Sequence, residues 1–150
     1  MNVEARLKTE RPIPLRQRSI IHLILVHNHI YDGITQALKP FDVSIPQFNV
    51  LRILRGQKGN PANLGTINER MINKMSNTTR LVDKLIAKGL VRRNICPANR
   101  RKVEIFLTGQ GAAALTEMDV AVAGAEETLM QHLSDQELTA LNTLLDQIVN

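Results

Sequence analysis

The charges of this chain are sorted along its length. Residues 51–107 hold thirteen Lys or Arg against three Asp or Glu, a local net charge of +10, whereas residues 108–150 hold seven acids and no Lys or Arg. Residues 1–50 add six bases and four acids, and the formal net charge of the whole is +5. Any fold must gather that basic middle onto a surface and turn the acidic, Ala- and Leu-rich tail away from it, toward solvent or another protein. A basic block of this kind is the electrostatic footprint of a polyanion partner. Here it coincides with a helix-turn-helix pattern followed by a hairpin.

At 150 residues and 43% hydrophobic content, the chain suits one domain with a real core, with or without helical extensions. Only 3% of residues are aromatic and none is Trp, which argues against a single-strand binder built on stacking platforms. One cysteine excludes a disulfide framework and a cysteine-based zinc finger. The longest apolar run near the N-terminus, Ile20 to Val26, is interrupted by His22, has no small-residue cleavage site after it, and is too short to span a bilayer. The expectation is a soluble, cytoplasmic protein with no membrane partner.

Residues 1–12, charged and followed by Pro14, read as a loose arm. From Leu15 to about Lys39 the positions Ile20, Leu23, Ile24, Tyr31, Ile34 and Leu38 follow helical spacing up to Pro40. Ile21, Leu25 and Ile30 widen that stripe, so the helix should be buried on more than one face, the extra face against a second subunit. Ser44 caps the next helix, with Pro46 in its first turn and Gly56 near its end. Residues 57–63 form a polar loop, Leu64 to Ile72 a third helix, and Ser76 caps a fourth that stops at a left-handed Gly89. Leu90–Ile95 and Lys102–Leu107 alternate as strands joined by a turn over Cys96–Arg101. A helix follows from Thr108 to about His132, and Ser134 with Glu137 makes a capping box for a last helix ending at Val149. The fold class is mainly α with a small β-hairpin.

On a wheel of the fourth helix, Thr78, Val82 and Leu85 gather on one side, flanked by Leu81 and Ile86, as a packed face. Asn77, Arg80, Lys84 and Lys88 gather on the other. That polar stripe is one helix wide and fits a major groove. Asn77, Thr78 and Arg80 are the candidates for base edges, and Ser76, Thr79, Lys84 and Arg92 for phosphates. The hairpin turn carries Arg100, Arg101 and Lys102 in succession. Three like charges at an exposed tip repel one another, and a phosphate backbone or a narrow minor groove relieves that repulsion. Double-stranded DNA is the partner these features call for. A winged-helix module for protein contact or dimerisation, without specific DNA binding, is the alternative from another class.

The segments Val43–Leu51, Ser76–Leu85, Lys88–Val91, Asn99–Arg101 and Leu107–Gly111, in this order and spacing, resemble the MarR family of winged-helix transcriptional regulators. The resemblance implies a homodimer built from the helices over 15–39 and 109–150, with 41–107 as the DNA-binding lobe. It implies a recognition helix near Ser76–Lys88 in the major groove, a wing whose Arg101 reaches the minor groove, and a pseudo-palindromic operator, with repression the expected sign. It further implies that a small aromatic or phenolic effector can bind between the dimer helices and the lobe. Two positions depart from the family: Asn99 stands where the wing usually has Asp, and the first helix lacks the reactive cysteine of the peroxide-sensing branch, the only thiol being Cys96.

Other patterns look chemical without carrying chemistry. Gly109-x-Gly111-x-x-Ala114 follows a strand, as a dinucleotide fingerprint would, but no second parallel strand with a terminal acid follows it. It reads better as a helix start whose small residues lie close to the hairpin. His22 and His29 share a helix face and His27 lies elsewhere, with only Asp32 as a nearby acid, which is poor zinc chemistry. Neither a metal nor a cofactor is expected, and no residue stands out as catalytic.

Overall fold

A computed structural model describes residues 2–72, 77–96 and 99–149, apart from the side chains of residues 96 and 99–102. Among the described residues helices predominate, and a single antiparallel hairpin is the sheet. The first residues are not the loose arm expected. They form α1 (Val3–Leu7), capped by the Asn2 side chain, which accepts from the Glu4 N–H at 2.9 Å. Val3 is fully buried, and Arg18 Nε donates to Glu4 Oε1 at 2.8 Å, holding that carboxyl below its ordinary pKa. A cap, one buried valine and one ion pair order a segment too short to show periodicity.

Helix α2 (Leu15–Leu38) runs until a 3-10 turn, Lys39–Phe41, opened by Pro40. Asp42 then turns the chain in a left-handed conformation (φ 51°). Helix α3 (Ile45–Gly56) begins with a capping box: Ser44 Oγ accepts from the Gln47 N–H, and Gln47 Oε1 accepts from the Ser44 N–H at 3.0 Å. Its inward face, Phe48, Val50, Leu51 and Leu54, is the floor of the core. Helix α4 (Leu64–Arg70) is capped by Asn63, which accepts from the Thr66 N–H at 2.8 Å. Helix α5 (Thr78–Ala87) packs across α3 and α4 and ends at Gly89, whose φ of 71° is the left-handed stop expected.

Strands β1 (Val91–Cys96) and β2 (Asn99–Leu107) pair from Val91 opposite Leu107 out to Ile95 opposite Val103. The register then jumps to Cys96 opposite Asn99. The pairing thus runs further out than expected: the backbone of Arg100 and Arg101, expected in the turn, belongs to β2 along with that of Lys102, across an irregularity in the register. On the inner edge, the N–H and C=O of Ala62 exchange bonds with those of Ile105 at 2.9 and 2.8 Å, which pins the hairpin to the loop between α3 and α4.

Thr108 links the hairpin to α6 (Gly109–Met130). Its hydroxyl donates to the Gly89 carbonyl at 2.7 Å and accepts from the Gly111 N–H at 2.9 Å. The small residues at this start serve packing, as expected. A Cβ on Gly111 would lie 2.0 Å from the Leu90 carbonyl oxygen, so only glycine lets the helix approach the corner this closely. Helix α6 lies along α2 and α3 and adds Leu115, Met118 and Val122 to the core. The Ser134–Glu137 capping box forms as expected and starts α7 (Asp135–Val149), none of whose described residues is buried.

Candidate nucleic-acid interface

Two faces of α5 have separate tasks. Val82 and Leu85 are buried in the core, with Leu81 and Ile86 packed partly against it. Asn77, Thr79, Arg80, Asp83, Lys84 and Ala87 are exposed. A helix turns about 100° per residue, so Arg80, Asp83 and Ala87 lie nearest the middle of that exposed face, with Lys84 and Asn77 toward its edge. Among the described residues, the Arg80 side chain has no hydrogen bond or ion pair.

Three expectations for this helix need correction. Thr78 faces inward and is only 7% exposed, its hydroxyl donating to Asn68 Oδ1 at 3.2 Å across to α4. The same wheel that put Thr78 on the packed face excludes it from a base edge. Asn77, in place of Ser76, occupies the cap position; its side chain makes no capping bond, and Ser76 lies outside the described residues. Lys88, expected in the outward stripe, reaches back to the junction after α2. Its Nζ donates to the Asp42 carbonyl and, at 2.6 Å, to Asp42 Oδ2, which holds the Asp42 carboxyl below its ordinary range.

The hairpin supplies the second surface. Val91 and Ile105 are buried, so their face of the sheet looks inward, and Arg93, opposite Ile105, shares it. Its guanidinium emerges beside α5 and donates to Asp83 Oδ1 at 3.1 Å. Arg92 points to the other face, where its guanidinium stacks 4.2 Å from the centre of the Phe106 ring. The cation adjoining the exposed face of α5 is Arg93; Arg92, expected at a phosphate, lies on the opposite face of the hairpin and is exposed. Alternation counted from the apolar Val91 carries that signal in the sequence. Arg100 and Arg101 lie on β2 near the outer end of the hairpin, their side chains, like that of Cys96, outside the description.

Behind α5 lies a cavity of about 620 Å³ lined by Thr35, Lys39, Asp42, Gln47, Lys84 and Lys88 among others. It sits where the end of α2 meets α3 and α5, with the Asp42–Lys88 pair at its wall. Of the three histidines of α2, His27 and His29 are exposed, and the His27 ring is 6.0 Å from that of Tyr31. No group of three metal-ligating side chains gathers among the described residues.

Comparison with known proteins agrees with this layout. The model of the MarR family matches residues 43–103, from the turn before α3 into β2. The transcriptional regulator PecS of Dickeya dadantii is 29% identical over 119 residues, covering 77% of this chain and 70% of PecS. A MarR transcription factor from Planctomyces limnophilus superposes with a TM-score of 0.72 at 30% identity, covering 91% of this chain and 99% of that one. A mutant MarR from E. coli, complexed with operator DNA, superposes with a TM-score of 0.76 at 25% identity over 91% of this chain and 95% of that one.

Proposed function

Because the chain belongs to the MarR family of DNA-binding transcriptional regulators, we propose that it acts as a homodimer on a pseudo-palindromic operator and represses by occluding it. In this reading residues 41–107 form the DNA-binding lobe, and the helices within 15–39 and 109–150 join the two copies. Each copy sets α5 in a major groove, and the two-fold requires half-sites about one helical turn apart. Asn77 and Arg80 face base edges, while Ser76, Thr79 and Lys84 position the helix on phosphates. Arg100 and Arg101 serve the adjacent minor groove, and replacing Arg101 by Ala should flatten the salt slope by about one unit per subunit.

The observation that carries the reading is the outward face of α5. It presents Arg80 and Lys84 to solvent while the opposite face fills the core. The second copy is called for by Ile20 and Ile24 of α2 and Leu144 and Ile148 of α7, all more than half exposed in one chain. A small aromatic or phenolic anion suits the cavity at the α2 junction, where lysines line the wall. It would act only by binding one spacing of the recognition helices better than another. The protein works by binding, not turnover, on duplex DNA in the cytoplasm. Among the described residues no helix is long and apolar enough to cross a membrane.

Selecting bound duplexes from a random library at about 150 mM salt, where non-specific contacts fade, tests the reading. The expected result is an enriched inverted repeat. Binding without enrichment would reject it in favour of a non-specific DNA binder, and no binding from folded dimer in favour of a protein-contact module.

A further inference from the structure

An acid stands in the middle of the surface that is otherwise built for phosphate. Asp83 lies on the exposed face of α5 beside Lys84 and one turn on from Arg80, and its side chain is 50% exposed. Facing DNA alone, that carboxylate would repel the backbone its neighbours attract. Arg93, ten residues on, crosses from the inner face of β1 and donates to Asp83 Oδ1 at 3.1 Å. It is the one ion pair that joins α5 to the hairpin among the described residues.

We propose that Arg93 is a positioning residue for DNA binding. It cancels Asp83 on the reading face and fixes the hairpin against α5, so that helix and wing meet the duplex as one body. Spending an arginine inside a surface of cations makes sense only if the charge it covers matters more than the phosphate it forgoes. A half-exposed pair of this kind adds little to folding stability, so its value must lie in what the two elements do together. This assignment rests on the DNA reading above. It differs from a phosphate contact in one measurable respect: a phosphate contact is indifferent to Asp83, whereas a residue acting through Asp83 loses its importance when that charge is gone.

A double-mutant cycle on the operator selected by the wild-type protein makes the distinction. Arg93→Gln should weaken binding about 10-fold, a coupling of ordinary size for two residues in contact. In an Asp83→Asn background the same change should cost under about 3-fold. Arg93→Lys, which keeps a charge beside Asp83, should bind within about 3-fold of wild type. An equal loss in both backgrounds would make Arg93 a direct DNA contact and overturn the proposal. So would an Arg93→Gln protein that binds normally, or a Lys variant as weak as Gln. The wild-type arm separates the two levels: no enriched duplex would remove the DNA reading itself, while a normal site with no coupling would remove only this role of Arg93.

Discussion

Helix α3, of 12 residues, buries five within one chain, whereas α7, of 15, buries none and α2, of 24, buries only Leu38. All three are amphipathic, so apolar content does not explain the contrast. The apolar residues of α3 meet those of α4, α5, β2 and α6 around a closed core. Many of those of α2 and α7, among them Leu15, Ile20, Ile24, Leu144 and Ile148, stay in water. Apolar surface is worth roughly 25 cal/mol per Å² when covered, so helices with such stripes are complete only against a further surface. Residues 41–107 carry their folding information within one chain; in the proposed dimer the terminal helices carry theirs between chains.

That contrast would break first at α7. Leu144→Glu puts a charge where a second copy is expected to lie, and should cost about 3 kcal/mol or more, raising the dimer dissociation constant over 100-fold. Sedimentation velocity across a concentration series reads this, and operator binding should fail with it. A variant as dimeric as wild type would free α7 from the interface. The lobe breaks at a different kind of place. Gly111→Ala drives a methyl group into the Leu90 carbonyl, a backbone atom that cannot swing aside, and should cost about 3 kcal/mol, the upper end of ordinary overpacking. Urea unfolding at fixed protein concentration measures it. Gly124→Ala, with nothing within 4 Å of its Cβ in one chain, should instead gain about 0.5–1 kcal/mol in the same helix. A loss there would set Gly124 under the partner.

How much of this was legible follows the same division. Periodicity named the inward face of α5, because Val82, Leu85 and their neighbours are local along one helix. Caps at Ser44 and Ser134 and the stop at Gly89 were readable because each is settled within a few residues. The partners of Lys88 and Arg93 were not. Asp42 is brought to Lys88 by the packing of α3 on α5, and Asp83 meets Arg93 only after the chain turns at Gly89 into β1. A wheel that treats every exposed cation alike cannot tell Arg80, with no partner among the described residues, from Lys88, which is engaged. Thr78 shows the opposite failing: the wheel already placed it inside, and its polarity alone suggested a base contact.

Arg80 and the core residues of its own helix sharpen the contrast on a smaller scale. Arg80→Ala removes no packing, so the urea midpoint should hold. On the operator it should cost about 1–3 kcal/mol and relax specificity at one position of each half-site. Binding constants across single-base operator variants, set beside the unfolding curve, check both halves. Equal losses on every sequence would make Arg80 a phosphate contact.

The smallest effect lies at the start of α7, where the capping box is electrostatic as well as geometric. The Ser134 N–H and hydroxyl both donate to Glu137 Oε2 at 2.8 Å, and these two bonds hold the Glu137 carboxyl below its ordinary value of 4.5. A carboxylate in the first turn also suits the positive end of the helix. With the folded value depressed, the contribution is present above the unfolded value and fades as pH falls through the folded one. Glu137→Gln keeps a side chain able to accept from the backbone but removes the charge. Wild type should therefore show a slightly higher urea midpoint near pH 7, and the two proteins should converge as the pH falls through the depressed folded value. Protein concentration must match, because the stability of a dimer depends on it. A gap that persists unchanged into acid would mean that the box acts through shape alone. A gap that vanishes would show that α7, which buries nothing in its own chain, draws on its first turn for stability of its own.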